Sequence, residues 1–287
     1  SAAGLENTLI LTGAYRKQWV DLDGAPVSQH FNVSMPLRFL QSGVGLRLDN
    51  DGLGAHQTTQ AMLNYSYHLN FPALGTLSLG VGAGYQQYSL DGARLRSPDG
   101  DYTDPLFQHN DAYLPLGRVN AGSPVFEMGL TLLTDRVRVG LSAIPVFSPV
   151  ITQTGSGAFR LSPQQHFAFQ SQYQIEWSDQ LLLKPGLLLK SDLVATQVEL
   201  GSLAVWKEKF TGGVAWRGVT NSSRDALVIT AGLKINEKTT IAYIYDLPFS
   251  GLQSTNRGSH ELFIQYNSGR TFGAGKRPPV IYNPRFR

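Results

Sequence analysis

Hydrophobic positions along this chain recur every second residue. Between Thr76 and Tyr85, Leu77, Leu79, Val81, Ala83 and Tyr85 alternate with small or polar partners. Val137, Val139, Leu141 and Ala143 alternate in the same way with Arg136, Arg138, Gly140 and Ser142. A third stripe, Phe167, Phe169, Tyr173, Ile175 and Trp177, is interleaved with Ala168, Gln170, Gln172, Gln174 and Glu176. A period of two places alternate side chains on opposite faces of a strand, whereas a helix face repeats every 3.6 residues. The alternation continues almost throughout, with no amphipathic helices to cover a sheet. It predicts about fourteen strands, near residues 7–20, 27–40, 43–50, 57–70, 74–90, 124–134, 136–147, 162–177, 180–191, 193–206, 208–218, 224–235, 237–247 and 259–268.

The expected connections fall into two classes. Gln41-Ser42, Pro72-Ala73, Thr134-Asp135, Ser178-Asp179, Lys207-Glu208 and Asn236-Glu237 are short. Asp21–Pro26, Asp51–His56, Asp91–Ser123, Ser148–Leu161, Val219–Ser223 and Pro248–Gly258 are longer and alternate with the short ones. Short turns at one end and long loops at the other are the pattern of an outer-membrane barrel, with the short end periplasmic. Both ends of the barrel sequence then fall in the periplasm. Aromatics gather near predicted strand ends, as Tyr15, Trp19, Tyr65, Tyr67, Phe71, Tyr85, Tyr88, Trp177, Trp206, Trp216, Tyr243 and Tyr245, where amphipathic rings sit at the headgroup level.

Composition supports this all-β, transmembrane antiparallel barrel. Charged residues make up 16% of the 287, against about a quarter in soluble globular domains. Mean hydropathy is nevertheless −0.14, and no stretch approaches the ~18 uninterrupted apolar residues of a membrane helix. A barrel resolves the conflict, because only alternate residues face lipid. The formal net charge of +3 gives no argument for nucleic acid. The absence of cysteine removes disulfides and thiolate metal sites.

From Tyr15 the sequence reads Y-R-K-Q-W-V-D-L-D-G-A-P, that is Tyr15, Arg16, Lys17, Gln18 and Trp19 followed by Asp21, Asp23, Gly24, Ala25 and Pro26 in the first outer loop. Further pieces follow in order: Asn50-Asp51-Gly52-Leu53-Gly54, Tyr65-Ser66-Tyr67-His68-Leu69, Val139-Gly140-Leu141-Ser142, Lys184-Pro185-Gly186 and Trp216-Arg217. Tyr243-Ile244-Tyr245-Asp246, Gly258-Ser259-His260-Glu261 and Tyr282-Asn283-Pro284-Arg285-Phe286 complete the set. Together they resemble the PorP/SprF family of type IX secretion membrane proteins of Bacteroidetes-type outer membranes. Such proteins usually begin with a segment leading into an N-P-A-x-A-G-like stretch, of which only Ser1-Ala2-Ala3-Gly4 is present, so an upstream segment is expected. The resemblance implies a non-enzymatic role in protein export and, in gliding bacteria, in delivering or holding large surface adhesins. It implies as partners the C-terminal domain of such an adhesin and periplasmic secretion or gliding components.

Register yields a separate expectation. With Leu9, Leu11, Tyr15 and Trp19 on the lipid face, Arg16 faces the lumen and Lys17 the lipid, close enough to the rim to snorkel. The same parity sends Arg217, Asp246 and Glu261 inward. Closure makes the first and last strands neighbours, so Arg16, Asp246 and Glu261 converge near the outer rim with Arg217 a few strands away. They form either an ion-pair network locking barrel closure or separately hydrated lumen charges. A charge outward at mid-depth would cost about 2–4 kcal/mol. The barrel is expected to span 1–268. The stretch 269–287 carries Arg270, Lys276, Arg277, Arg285 and Arg287 with no acidic residue, and Phe286 among them. It reads as a periplasmic docking tail, a lumen plug or a solvated basic end.

Signals for catalysis and cofactors are weak. His30, His56, His68, His109, His166 and His260 show no H-E-x-x-H spacing. Gly155-Ser156-Gly157 is not a nucleophile elbow, and Gly80 to Gly84 is a strand rather than a phosphate cradle. Asp21 and Asp23 lie in a loop without a histidine partner, and Asp99-Gly100-Asp101…Asp104 reads as a hydrated turn or a weak calcium loop. A passive or substrate-specific porin is the competing function.

Overall fold

The alternating residues close into one antiparallel sheet. The computed structural model describes residues 2–103, 107–146, 150–153, 159–161, 163–218, 226–249 and 256–270. Its strands are β1 (Ile10–Lys17), β2 (Val27–Leu37), β3 (Ser42–Leu53), β4 (His56–Phe71), β5 (Gly75–Asp91), β6 (Arg118–Leu133), β7 (Val137–Ile144), β8 (Ile151–Gln153) and β9 (Phe159–Leu161). They continue with β10 (His166–Tyr173), β11 (Ile175–Ser178), β12 (Leu181–Ser191), β13 (Thr196–Trp206), β14 (Phe210–Arg217), β15 (Ala226–Lys234), β16 (Thr239–Pro248) and β17 (Ser259–Asn267). β17 pairs back onto β1, and β10 pairs with both β7 and β12. β10 and β11 are halves of one stave interrupted at Gln174, so the 15 sheet segments make a closed barrel of fourteen staves. β8 and β9 form a separate ribbon in the connection between β7 and β10.

The expected outward residues do face out: Leu79, Val81 and Tyr85 of β5 are 41%, 59% and 55% exposed. Among the described residues, no helix is long and apolar enough to cross a membrane. Register locates the outer lipid boundary. One row across β2 to β5 reads Phe31, Leu48, Ala61 and Tyr85; the next row outward reads Gln29, Asn50, Thr59 and Gln87. The second row is a hydrogen-bonded polar belt, in which Thr59 donates to Asn50 at 3.0 Å and Gln57, one row further out, donates to the same Asn50 oxygen at 2.9 Å. Lipid therefore ends between the two rows. At about 3.4 Å per residue and ~40° tilt, the 17 residues of β5 rise far above a ~25 Å apolar band, while the 11 of β12 just span it. The rim is high over β3 to β6 and low elsewhere.

Several boundaries differ from the sequence expectation. Asp51–His56 is not a loop: β3 and β4 continue to a turn at Gly54-Ala55, because the polar belt lets the hairpin extend into water. β6 begins at Arg118 rather than at residue 124, which shortens the long loop. β1 ends at Lys17, so Trp19 lies in a turn at φ 45°. The long loop packs on itself: His109, 1% exposed, contacts Tyr102 and Phe107, and the Arg96 guanidinium sits 4.5 Å from the Tyr102 ring centroid.

The most buried residues line the lumen rather than a conventional core. Met62, Ser66, Ser78, Val125 and Thr131, on β4 to β6, are all nearly inaccessible. Part of what covers them is the stretch before β1. The carbonyl of Ala3 accepts from Ser66 Oγ at 2.6 Å and contacts His68 Nε2 at 3.0 Å, and Gly4 N donates to Ser34 Oγ at 2.8 Å. Glu6 then pairs with Arg138 of β7. Gly43 permits this approach, since a Cβ there would lie 2.1 Å from the Ala3 carbonyl oxygen. These contacts carry the N-terminal stretch across the periplasmic half of the lumen.

Candidate functional site at the closure seam

β1 and β17 meet with Arg16 directly opposite Glu261. Both residues are odd with respect to their lipid-facing neighbours Tyr15 and Leu262, and so both point inward. Arg16 donates to Glu261 Oε2 at 3.1 Å and to Asp246 Oδ2 of β16 at 2.5 Å. Arg217 of β14 reaches over β15 to the same Asp246 oxygen at 2.6 Å and also pairs with Glu199 of β13 at 2.8 Å. The structure thus brings all four expected lumen residues together, Arg217 reaching Asp246 from two strands away. Side-chain length accounts for that reach: a guanidinium spans the width of one intervening strand. Asp246, with a side chain 5% exposed, is shared by two cations while its Oδ1 has no hydrogen-bond partner.

Glu199 was not singled out from the sequence, although its signal was present. It lies between the outward Val198 and Leu200, and its register partner is Arg217. A second cluster also lies in the lumen. Arg47 joins Asp49 at 2.8 Å and Glu127 at 2.8 Å, His30 contacts Asp49, and Asn64, with its amide nitrogen turned toward Glu127, donates at 3.0 Å. Gly82 of β5 makes this crossing possible, because a Cβ there would fall 2.6 Å from Glu127 Cγ. Both clusters contain only guanidinium, carboxylate, imidazole and amide groups. Their capacity is to hold distant staves in register.

The motif loop sits directly above the seam. Gln18 N donates to Pro26 O at 2.9 Å and closes the loop on itself. On one side Val20 N donates to Gly258 O at 2.9 Å, Trp19 N to Ser259 Oγ at 3.3 Å, and Asp21 pairs with Arg257 at 2.8 Å. On the other side the Gly24 carbonyl accepts from Gly54 N at 2.9 Å. Gly24, at φ 71°, holds a left-handed conformation that glycine adopts without penalty. Asp23 and Ala25 line the small cleft between this loop and the β3–β4 turn. Tyr15 and Lys17 face outward at the end of β1, with Lys17 beside the rim.

Other expected sites are dispersed. Arg270 follows β17 in a turn closed by Ser268; Lys276, Arg277, Arg285, Phe286 and Arg287 lie outside the described residues, as do Asp104 and Gly155-Ser156-Gly157. Asp101 accepts from the Thr103 hydroxyl at 2.7 Å and its N–H at 3.0 Å, and these bonds hold its carboxyl below the usual range. Among the described residues no group of three or more His, Asp or Glu side chains is placed to hold a metal ion.

Among solved structures, the chain is similar to the Acinetobacter baumannii outer membrane protein Omp33, at 9% identity and TM-score 0.49, covering 91% of this chain and 97% of that one. It is also similar to a Pseudomonas aeruginosa FadL homologue, at 14% identity and TM-score 0.45 over 91% and 89% of the two chains. The Ralstonia pickettii toluene transporter TbuX matches at 12% identity and TM-score 0.44 over 91% and 87%. No curated protein matches the chain. The model of one family, described as type IX secretion system membrane protein PorP/SprF, matches residues 1–266. An outer-membrane barrel matched by that model over nearly its whole length, the chain belongs to the PorP/SprF family of type IX secretion membrane proteins.

Proposed function

We propose that this chain is a non-enzymatic component of the type IX secretion and gliding machinery, assisting export or surface anchoring of large secreted adhesins through protein–protein contacts. Family membership over residues 1–266 is the observation that carries this reading. Its partners are the C-terminal domain of an adhesin on the outer side and secretion or gliding components in the periplasm, with the basic stretch after Asn267 as a periplasmic docking tail. The seam network of Arg16, Arg217, Asp246, Glu261 and Glu199 supports the role by keeping the motif loop rigid for a partner.

A porin is the second reading, favoured by a lumen cavity of about 340 Å3 bordered by Arg138, Gln170, Gln172 and Lys184. The N-terminal stretch weighs against it by crossing the lumen from Ser66 to Arg138. Planar bilayers separate the two. The purified barrel is expected to give no steady conductance; a stable ohmic pore in the wild-type protein would favour the porin.

A further inference from the structure

The turn between β13 and β14 departs from the residues its backbone favours. Lys207 and Glu208 both have positive φ, 50° and 55°, and such a pair is most readily filled by Asn-Gly. Charged side chains occupy both positions against a steric preference. The turn is also clamped from both sides: Lys207 N donates to Gln180 O at 2.7 Å, and Lys234 N donates to Lys209 O at 2.8 Å. Beneath it, Trp206 and Phe210 face lipid with 46% and 45% exposure, their rings 5.7 Å apart. The Lys207 ammonium lies 4.6 Å from the Trp206 centroid and that of Lys209 5.6 Å from the Phe210 centroid. Among the ion pairs of the described residues, neither lysine takes part.

Two like charges are therefore held over one aromatic platform at the periplasmic edge of the lipid-facing wall, where phospholipid phosphates lie. We propose that Lys207, Lys209 and the Trp206–Phe210 pair bind the phosphodiester headgroup of an anionic phospholipid from the periplasmic leaflet. A phosphate between the two ammoniums relieves their repulsion, and the rings below contact the glycerol and upper acyl chain. Glu208 leaves the turn with one net positive charge, which favours an anionic over a zwitterionic lipid.

Native mass spectrometry of the detergent-purified barrel tests this, with dioleoyl-phosphatidylglycerol, dioleoyl-phosphatidylcholine and inorganic phosphate as probes. The wild-type barrel is expected to retain phosphatidylglycerol in preference to phosphatidylcholine, with inorganic phosphate a poor competitor. Retention is expected to fall about fivefold for each lysine removed. The K207N variant places asparagine, which takes positive φ readily, at the first turn position and keeps Glu208, so its thermal stability is expected to hold or rise while lipid retention falls; K209Q lowers retention on the unchanged turn. Unchanged retention in both variants, or equal retention of the two lipids, would overturn the proposal. Displacement by inorganic phosphate at the concentration of the lipid would reduce the site to one for a free anion and overturn the lipid assignment.

Discussion

Replacing Asp246 with alanine is expected to lower the unfolding free energy of the barrel by about 2–3 kcal/mol, because Arg16 and Arg217 each lose a charge-assisted hydrogen bond while keeping Glu261 and Glu199. Arg16 and Arg217 share the Oδ2 atom of Asp246 at 2.5 and 2.6 Å, and all three side chains are at least largely shielded from water. Urea titration in phospholipid vesicles, read by the fluorescence of Trp19 and Trp216 near the seam, measures the change. The variant R16M/D246L/R217M/E199Q/E261Q is expected to recover most of the loss, because it removes every charge of the cluster together with the pairs and strands none. A loss under about 1 kcal/mol for D246A would match a merely hydrated, surface-like pair and would remove the network from the account. The simple exchange R16E/E261R is expected not to restore stability. It rebuilds the Arg16–Glu261 contact in reverse but sets the new glutamate against Asp246.

The second large effect concerns Gly43. A Cβ at this position meets the Ala3 carbonyl at 2.1 Å and the Gly4 Cα at 2.7 Å, so the G43V substitution cannot coexist with the N-terminal stretch in its observed place. Valine suits a strand, and the barrel is expected to persist, destabilised by about 1–3 kcal/mol through the displaced contacts. Expulsion of the stretch is expected to convert a silent barrel into one with steady conductance. E6Q, which removes only the pairing with Arg138, is expected to give brief openings. Silence of G43V in bilayers, with the barrel folded, would mean that other groups close the lumen.

Much of the barrel was legible because its determinants are local. Leu77 to Tyr85 declare a strand with no knowledge of its partners, and the fourteen-stave count follows from repeating that reading. Parity alone sent Arg16, Asp246 and Glu261 to the lumen, and closure made β1 and β17 neighbours. What parity does not encode is reach across a stave. Arg217 meets Asp246 over β15, and Arg47 meets Glu127 over β4 and β5 through the gap left by Gly82. Nor did alternation show that Ala3, Gly4 and Glu6 would fold back into the lumen, since they precede the first strand and make their contacts with residues far along the chain. Loop length was misjudged at Asp51–His56 for a related reason: polar residues there signal water, and a strand rising above the membrane meets water while remaining a strand.

We propose that this barrel serves protein export. Quantitative surface proteomics of the parent bacterium with and without the chromosomal copy tests it most directly, with uptake of small hydrophilic solutes followed in the same cells. A large surface protein is expected to disappear from the surface and accumulate in the periplasm, with solute uptake unchanged. An unaltered surface proteome accompanied by slowed solute uptake would contradict the account and return the barrel to the porins.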